Sequence, residues 1–164
     1  MHDQVCYISL GSNMGDSKTI VEEAMLLITK LPKTNALKMS ALYQTEPVSD
    51  IAQEPFINAM IGISTTLEPH ELLLELQAIE EAYYRQRDDD LKWGPRTLDL
   101  DIILYGNVRL NDSHLSIPHP EMKNRLFVLV PLLEISGDIY ISGLGSISYL
   151  INNAPQFKLQ KLDD

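Results

Sequence analysis

Apolar residues change period several times along the chain, and each change marks an element. Val5–Leu10 is an apolar run closed by the turn cluster Gly11-Ser12-Asn13, and it predicts a strand. Ile20, Val21, Ala24, Leu27, Ile28 and Leu31 recur at helical spacing. Asp16 or Ser17 can cap that helix and Pro32 stops it. Leu37, Met39, Ala41 and Tyr43 alternate and share one face of a second strand. Residues 44–55, with Pro47 and Pro55, read as a loop, and Phe56–Thr66 as a third strand. Pro69 suits the first turn of a helix whose buried stripe is Leu72, Leu76, Ile79 and Tyr83 and which ends near Arg87. Asp88–Pro95 reads as a loop and Asp99–Tyr105 as a strand, with Gly106-Asn107 turning into Val108–Leu110. Phe127–Ile135 predicts a helix despite Pro131. A strand near Ile139–Ile141, a helix after Ser146 and a last strand near Phe157–Leu159 follow.

The order β-α-β-β-α-β with a C-terminal extension is the split βαβ pattern of an α+β, ferredoxin-like fold. It predicts one antiparallel sheet with its helices packed on one face. A length of 164 residues suits one domain over 1–164. Cys6 is alone, in an apolar setting, so no internal disulfide can form. The N-terminus has no signal-peptide pattern and no apolar run reaches the ~20 residues that span a bilayer, which together predict a cytoplasmic protein. The net charge of −10 argues against non-specific nucleic-acid binding. Within 85–125, however, Arg85, Arg87, Lys92, Arg96, Arg109, Lys123 and Arg125 balance the acids, so an anion should bind there.

The densest chemistry lies in Trp93-Gly94-Pro95-Arg96-Thr97-Leu98-Asp99-Leu100-Asp101. On a strand, Leu100, Ile102 and Leu104 point one way and Asp99 and Asp101 the other. Two ionised carboxylates about 6–7 Å apart repel by roughly 2–3 kcal/mol at an effective dielectric of ~20, a cost that a divalent cation removes. Such a pair can grip a polyphosphate through magnesium. The plainer reading is a solvated acidic strand face. Arg85, Arg87 and Arg96 offer planar forks to phosphate, although Arg85 and Arg87 also suit a helix C-terminus. Pro118-His119-Pro120 holds His119 in extended geometry, from which it can donate to a phosphate oxygen; the alternative is a surface histidine. Phe56 and Asn58 share a strand face, where an aromatic ring can stack on a heterocycle and an amide can read its edge. They could equally be a cross-strand pair beside an edge Asn. No zinc, Walker, G-x-S-x-G or G-x-G-x-x-G pattern is present.

Together, Gly11-Ser12-Asn13, Tyr43-Gln44-Thr45-Glu46-Pro47, Phe56-Ile57-Asn58-Ala59, Trp93 through Asp101, and Pro118-His119-Pro120 with Arg125 and Phe127 closely resemble the 6-hydroxymethyl-7,8-dihydropterin pyrophosphokinases. These motifs lie in order over residues 11–127. The resemblance implies a ferredoxin-like monomer that moves the terminal diphosphate of ATP onto the hydroxymethyl group of the pterin, releasing AMP, in folate synthesis. By position it implies that Asp99 and Asp101 hold two Mg2+ ions. Arg85, Arg96 and His119 would hold the ATP phosphates, with Arg87 and Trp93 on a catalytic loop. Phe56 and Phe127 would be plates around the pterin, with Asn58 reading its edge and Thr45, Pro47 and Val48 lining the pocket. Asn13, Gln77 and Glu80 would lie near the substrates, and Ser116 and Arg125 at ATP. The chain departs from the family pattern at Tyr84, where a Gly often precedes the arginine, at the acidic run Asp88-Asp89-Asp90, and at Glu121, where a basic residue is common. From the residues alone two other classes stay open. One is a different two-metal nucleotidyltransferase or phosphohydrolase, using the aspartates but not the aromatic pair. The other is a non-catalytic pterin- or nucleotide-binding module.

Overall fold

The computed structural model describes residues 2–45, 55–84 and 98–162. The loops expected at 44–55 and 88–95, and the end of the second helix at Arg87, fall largely or wholly outside them. The main sheet is built from β1 (Gln4–Ser12), β2 (Thr34–Met39), β3 (Tyr43–Thr45), β4 (Phe56–Thr65), β5 (Asp99–Tyr105) and β10 (Leu159–Lys161). Its order is β10-β3-β4-β1-β5, with β2 also on β4, and every neighbour is antiparallel. Two small ribbons add β6 (Leu110–Asn111) with β7 (Ser116–Ile117), and β8 (Tyr140–Ile141) with β9 (Gly145–Ser146). The helices are α1 (Ser17–Thr29), α2 (Pro69–Tyr84), α3 (Leu126–Ser136) and α4 (Ile147–Asn153).

The α+β, split βαβ expectation holds, but the helices occupy both faces of the sheet. One core packs α1 and α2 against Cys6, Ile8 and Leu10 of β1, Ile57, Ala59, Ile61 and Ile63 of β4, and Leu100 and Ile102 of β5. A second core packs α3 and α4 against Met60, Ile103 and Leu104. The physical reason is that the C-terminal extension carries its own apolar surface, including Leu129, Leu132, Ile147 and Leu150. Only the reverse face of the sheet is left to bury it.

Three local departures from the sequence reading have clear causes. First, 37–43 is not one strand. The buried Ser40 hydroxyl accepts the Met60 N–H at 2.8 Å, taking the place of a ladder carbonyl, and the chain breaks into β2 and β3. Leu37 sits at a register shift and is 54% exposed, so it and Tyr43, which is buried, do not share a core face. Second, α1 buries Val21, Ala24, Met25 and Ile28, while Leu27 is exposed; the stripe is centred one residue from the expected line. Third, β5 carries a bulge: Ile8 pairs with Ile102 and Tyr7 with Leu104, leaving Ile103 extra. The added residue reverses the alternation, so Leu104 joins the α3 core instead of sharing a face with Leu100 and Ile102.

The cap expected for α1 forms. Asp16 caps α1, accepting from Thr19 N–H at 3.4 Å and Thr19 Oγ1 at 2.9 Å. Ser146 caps α4 through Tyr149 N–H at 3.1 Å. The turn at Gly106 forms, with φ of 51°, but the following residues pair β6 with β7 rather than returning along β5. Pro131 sits inside α3, where it cannot donate to the carbonyl of Phe127. Cys6 is buried, and burial pushes its thiol up to about 12, so it stays protonated and packs as an apolar group.

Candidate active site

The site arises because α3 covers only half of its face of the sheet. Along β1, β4 and β5 that face begins with Tyr7, Met60 and Gly62, and Ile103, all under or beside α3. At Gly62 an added Cβ would lie 3.8 Å from Ile135 Cδ1 of α3 and 3.1 Å from the Tyr7 ring. Beyond the edge of α3 the same face continues as Ser9 and Gly11 on β1, Asn58 and Phe56 on β4, and Asp101 and Asp99 on β5. Backbone register sets Asp101 opposite Ser9, Asp99 opposite Gly11, and Gly11 opposite Asn58.

These residues floor a cavity of about 290 Å³, whose lining includes Thr45, Phe56, Asn58, Asp99, Asp101, Arg125 and Phe127. Expected site residues from separate parts of the chain therefore meet there. Asn58 is buried and donates from Nδ2 to Thr45 Oγ1 at 3.2 Å, leaving its carbonyl oxygen and second N–H for a ligand. Gly11 is needed beside it, because a Cβ there would lie 3.2 Å from Asn58 Oδ1. Arg125 stands over Phe127, its guanidinium carbon 5.8 Å from the ring centroid. Both come from the start of α3, which brings them to the cavity.

His119 is positioned by the bulge in β5. Its backbone N–H donates to the Ile103 carbonyl at 3.0 Å. The Glu121 N–H donates to its Nδ1 at 3.1 Å, so the neutral ring carries its proton on Nε2 and can donate from there. Burial lowers the pKa of His119; Asp101 opposes that shift, Arg125 adds to it and Glu121 opposes it. His119 lines a second recess with Arg109, Pro118 and Lys123, within electrostatic reach of Asp101 and Arg125.

Other expected residues lie further off. Ser116 lines an open recess with Arg109, Asn111 and Pro118, and its hydroxyl donates to Asn111 Oδ1 at 2.8 Å. Gln77 and Glu80 belong to α2, on the other side of the sheet; Gln77 is exposed, and Glu80 accepts the Leu100 N–H at 2.8 Å, tying α2 to β5 between the two aspartates. Asn13 is fully buried at the end of β1. Arg85, Arg87, Arg96, Trp93, Pro47 and Val48 lie outside the described residues. Tyr84 has a structural use. Its hydroxyl donates to the Leu98 carbonyl at 2.8 Å and lies 3.4 Å from Asp99 Oδ1, joining the end of α2 to the start of β5.

Among the described residues, no group of three or more His, Cys, Asp and Glu gathers to hold a metal on its own. Two carboxylates on one strand face still fit magnesium, which takes one or two protein carboxylates and completes its shell from phosphate and water.

The model of the 7,8-dihydro-6-hydroxymethylpterin-pyrophosphokinase family matches residues 7–137. The chain belongs to that family. Its reaction is pyrophosphoryl transfer from ATP to the hydroxymethyl dihydropterin, in folate biosynthesis. The chain is 40% identical to the Haemophilus influenzae 2-amino-4-hydroxy-6-hydroxymethyldihydropteridine pyrophosphokinase, covering 96% of this chain and 97% of that protein. It is 42% identical to the Bacillus subtilis enzyme of the same name over 81% of this chain and 78% of that protein. A bifunctional FolKE protein of Lactococcus lactis is also 42% identical over 80% of this chain, which spans 37% of that protein's length. Among solved structures, an HPPK-DHPS in complex with substrates matches 93% of this chain with a TM-score of 0.70 at 16% identity, over 43% of its own length. Wild-type Plasmodium falciparum HPPK-DHPS with pteroate matches 92% with a TM-score of 0.69 at 14% identity. These structural likenesses bear on the pyrophosphokinase fold.

No helix among the described residues is long and apolar enough to cross a membrane. Four cavity-lining residues, Ser9, Leu10, Gly11 and Phe157, were not among the expected site residues. Ser9 gave no signal except its shared face with Gly11. Phe157 was read only as the start of a strand, yet it lines the cavity.

Proposed function

We propose that the cavity holds the pterin between Phe56 and Phe127, and that Asp99 and Asp101 hold magnesium and the ATP phosphates at its other side. The supporting observation is that one cavity gathers two aromatic rings, a buried amide and two carboxylates. Asn58 and Thr45 read the edge of the heterocycle by hydrogen bonds. Asp99 and Asp101 anchor two Mg2+ ions, which would offset the negative charge of the triphosphate and orient it. Arg85, Arg96 and His119 stabilise charge on the phosphate oxygens, with Nε2–H the donor of His119. Arg87 and Trp93 complete the loop over the site, Pro47 and Val48 the pterin pocket, and Gln77, Glu80, Ser116, Asn13 and Arg125 the surrounding contacts. The residues hold the pterin hydroxyl in line with the β-phosphorus; the new P–O bond forms there, the bond from the β-phosphorus to the α–β bridging oxygen breaks, AMP leaves with that oxygen, and the hydroxyl proton passes to water or a phosphate oxygen. No strong base is required, because this kind of transfer depends mainly on positioning. We read the protein as a cytoplasmic monomer of one domain, with no nucleic-acid or membrane partner.

An assay of purified protein, ATP and magnesium tests the reading, scored for AMP with and without reduced hydroxymethyl pterin. AMP and pterin diphosphate should form only when both substrates and the metal are present, and EDTA should abolish both. Release of pyrophosphate or orthophosphate without the pterin would point instead to a nucleotidyltransferase or phosphohydrolase. Phe127→Ala should weaken pterin binding at least several-fold, since stacking contributes about 0.5–1.5 kcal/mol beyond area burial. An unaltered pterin Kd, measured by titration calorimetry with an ATP analogue present, would remove that plate from the site.

A further inference from the structure

The chain has three phenylalanines, Phe56, Phe127 and Phe157, and all three line the same cavity. None of them is fully buried, although Phe127 also packs against the α3 core. Three aromatic rings gathered on one cavity mark its wall as a surface for an apolar, flat ligand. Phe56 and Phe127 are already accounted for as plates. Phe157 is not: it lies beyond residues 7–137, where the family model ends.

Its position across the sheet defines what it can touch. The cavity residues follow the strand order. Phe157 lies two residues before β10, Thr45 is on β3, Phe56 and Asn58 on β4, Ser9 and Gly11 on β1, and Asp99 and Asp101 on β5. Neighbouring strands are about 4.8 Å apart, so Phe157 stands at the opposite end from the carboxylates, roughly 15–20 Å across the sheet. The register Leu159↔Thr45 ties this segment to the strand whose Thr45 holds Asn58. The reacting hydroxymethyl group must point toward Asp99 and Asp101. The far edge of the heterocycle, with its amino and oxo groups, then faces β3 and β10. Phe157 is 37% exposed in the empty cavity, leaving ring surface for a ligand to cover.

We propose that Phe157 is a specificity-determining residue of the pterin pocket, a third aromatic wall that closes over the end of the heterocycle remote from the reacting group. The inference rests on the cavity being the pterin site. It predicts an effect on the pterin alone, because the nucleotide lies at the other end.

The experiment measures steady-state KM for pterin and for ATP in the full chain carrying Phe157→Ala, Phe157→Tyr or Phe127→Ala. Phe157→Ala should raise the pterin KM by about three- to tenfold, while the ATP KM moves by less than about twofold. Phe157→Tyr should recover most of the loss, since it keeps the ring. If Phe127→Ala raises the pterin KM and Phe157→Ala does not, the third wall is refuted while the pocket stands. If neither raises it, the pocket reading fails and the inference goes with it. Equal rises for both substrates, or no recovery with tyrosine, would make Phe157 a structural support and overturn the assignment.

Discussion

Asp101→Ala should abolish AMP formation while leaving the fold intact. Asp101 is half-buried on β5, its backbone paired with Ser9, and its side chain belongs to neither core. Shortening it to alanine removes no buried apolar contact. It does remove one of the two carboxylates proposed to hold magnesium, and with it the positioning of the triphosphate. A fall in kcat of about a thousandfold or more is expected, on the order of 4 kcal/mol or more of lost transition-state stabilisation. Without metal, the variant's melting temperature should equal or exceed the parent's, because two like charges about 6–7 Å apart repel by roughly 2–3 kcal/mol at an effective dielectric of ~20. Added magnesium and ATP analogue should then stabilise the parent far more than the variant, by linkage. Turnover within tenfold of the parent's would show that Asp101 does not hold the metals.

Asn58→Ala should cause the second-largest loss. The amide is buried, with Nδ2 on Thr45 Oγ1 and its carbonyl oxygen in the space that Gly11 leaves open by having no Cβ. It is therefore preorganised, and it presents both a donor and an acceptor to a ligand edge. Losing those bonds leaves the polar groups of the heterocycle buried without partners. At about 1.5–3 kcal/mol in total, kcat/KM for the pterin should drop about 10- to 100-fold. Steady-state assays at saturating ATP measure this directly. A drop of less than about threefold would take Asn58 out of recognition. Comparing thermal melts of the parent and variant separates this from a loss of folding, since the bond to Thr45 joins β3 to β4.

The difference between what could and could not be read in advance follows from the range of each interaction. The stripe Leu72, Leu76, Ile79 and Tyr83 is buried as its spacing predicted, because a helix face is set by residues three and four apart. Asp99 and Asp101 likewise fall together, since alternation along two residues of strand is local. Leu104 broke the same rule, because the Ile103 bulge depends on pairing with β1 and no nearby residue announces it. Ser40 divided a strand for the same kind of reason: its hydroxyl meets the Met60 N–H, twenty residues along the chain. Glu134 gives another case. From α3 it accepts the Ala41 N–H at 3.0 Å and the Tyr43 hydroxyl at 2.6 Å, anchoring the approach to Thr45 from more than ninety residues away.

Taken alone, the order of residues was enough to place most of the helices and long strands, the split βαβ succession, the acidic pair and the motifs of the pyrophosphokinase family, because these depend on short-range periodicity and on runs of contiguous residues. Only tertiary packing decided that helices cover both faces, that α3 stops short and leaves half a face open, that the bulged Ile103 carbonyl holds His119, and that Phe157 reaches the cavity from the C-terminal segment. Each of those depends on which surfaces meet after the chain has returned on itself. Burial and pairing between distant segments settle that, and neither leaves a local trace.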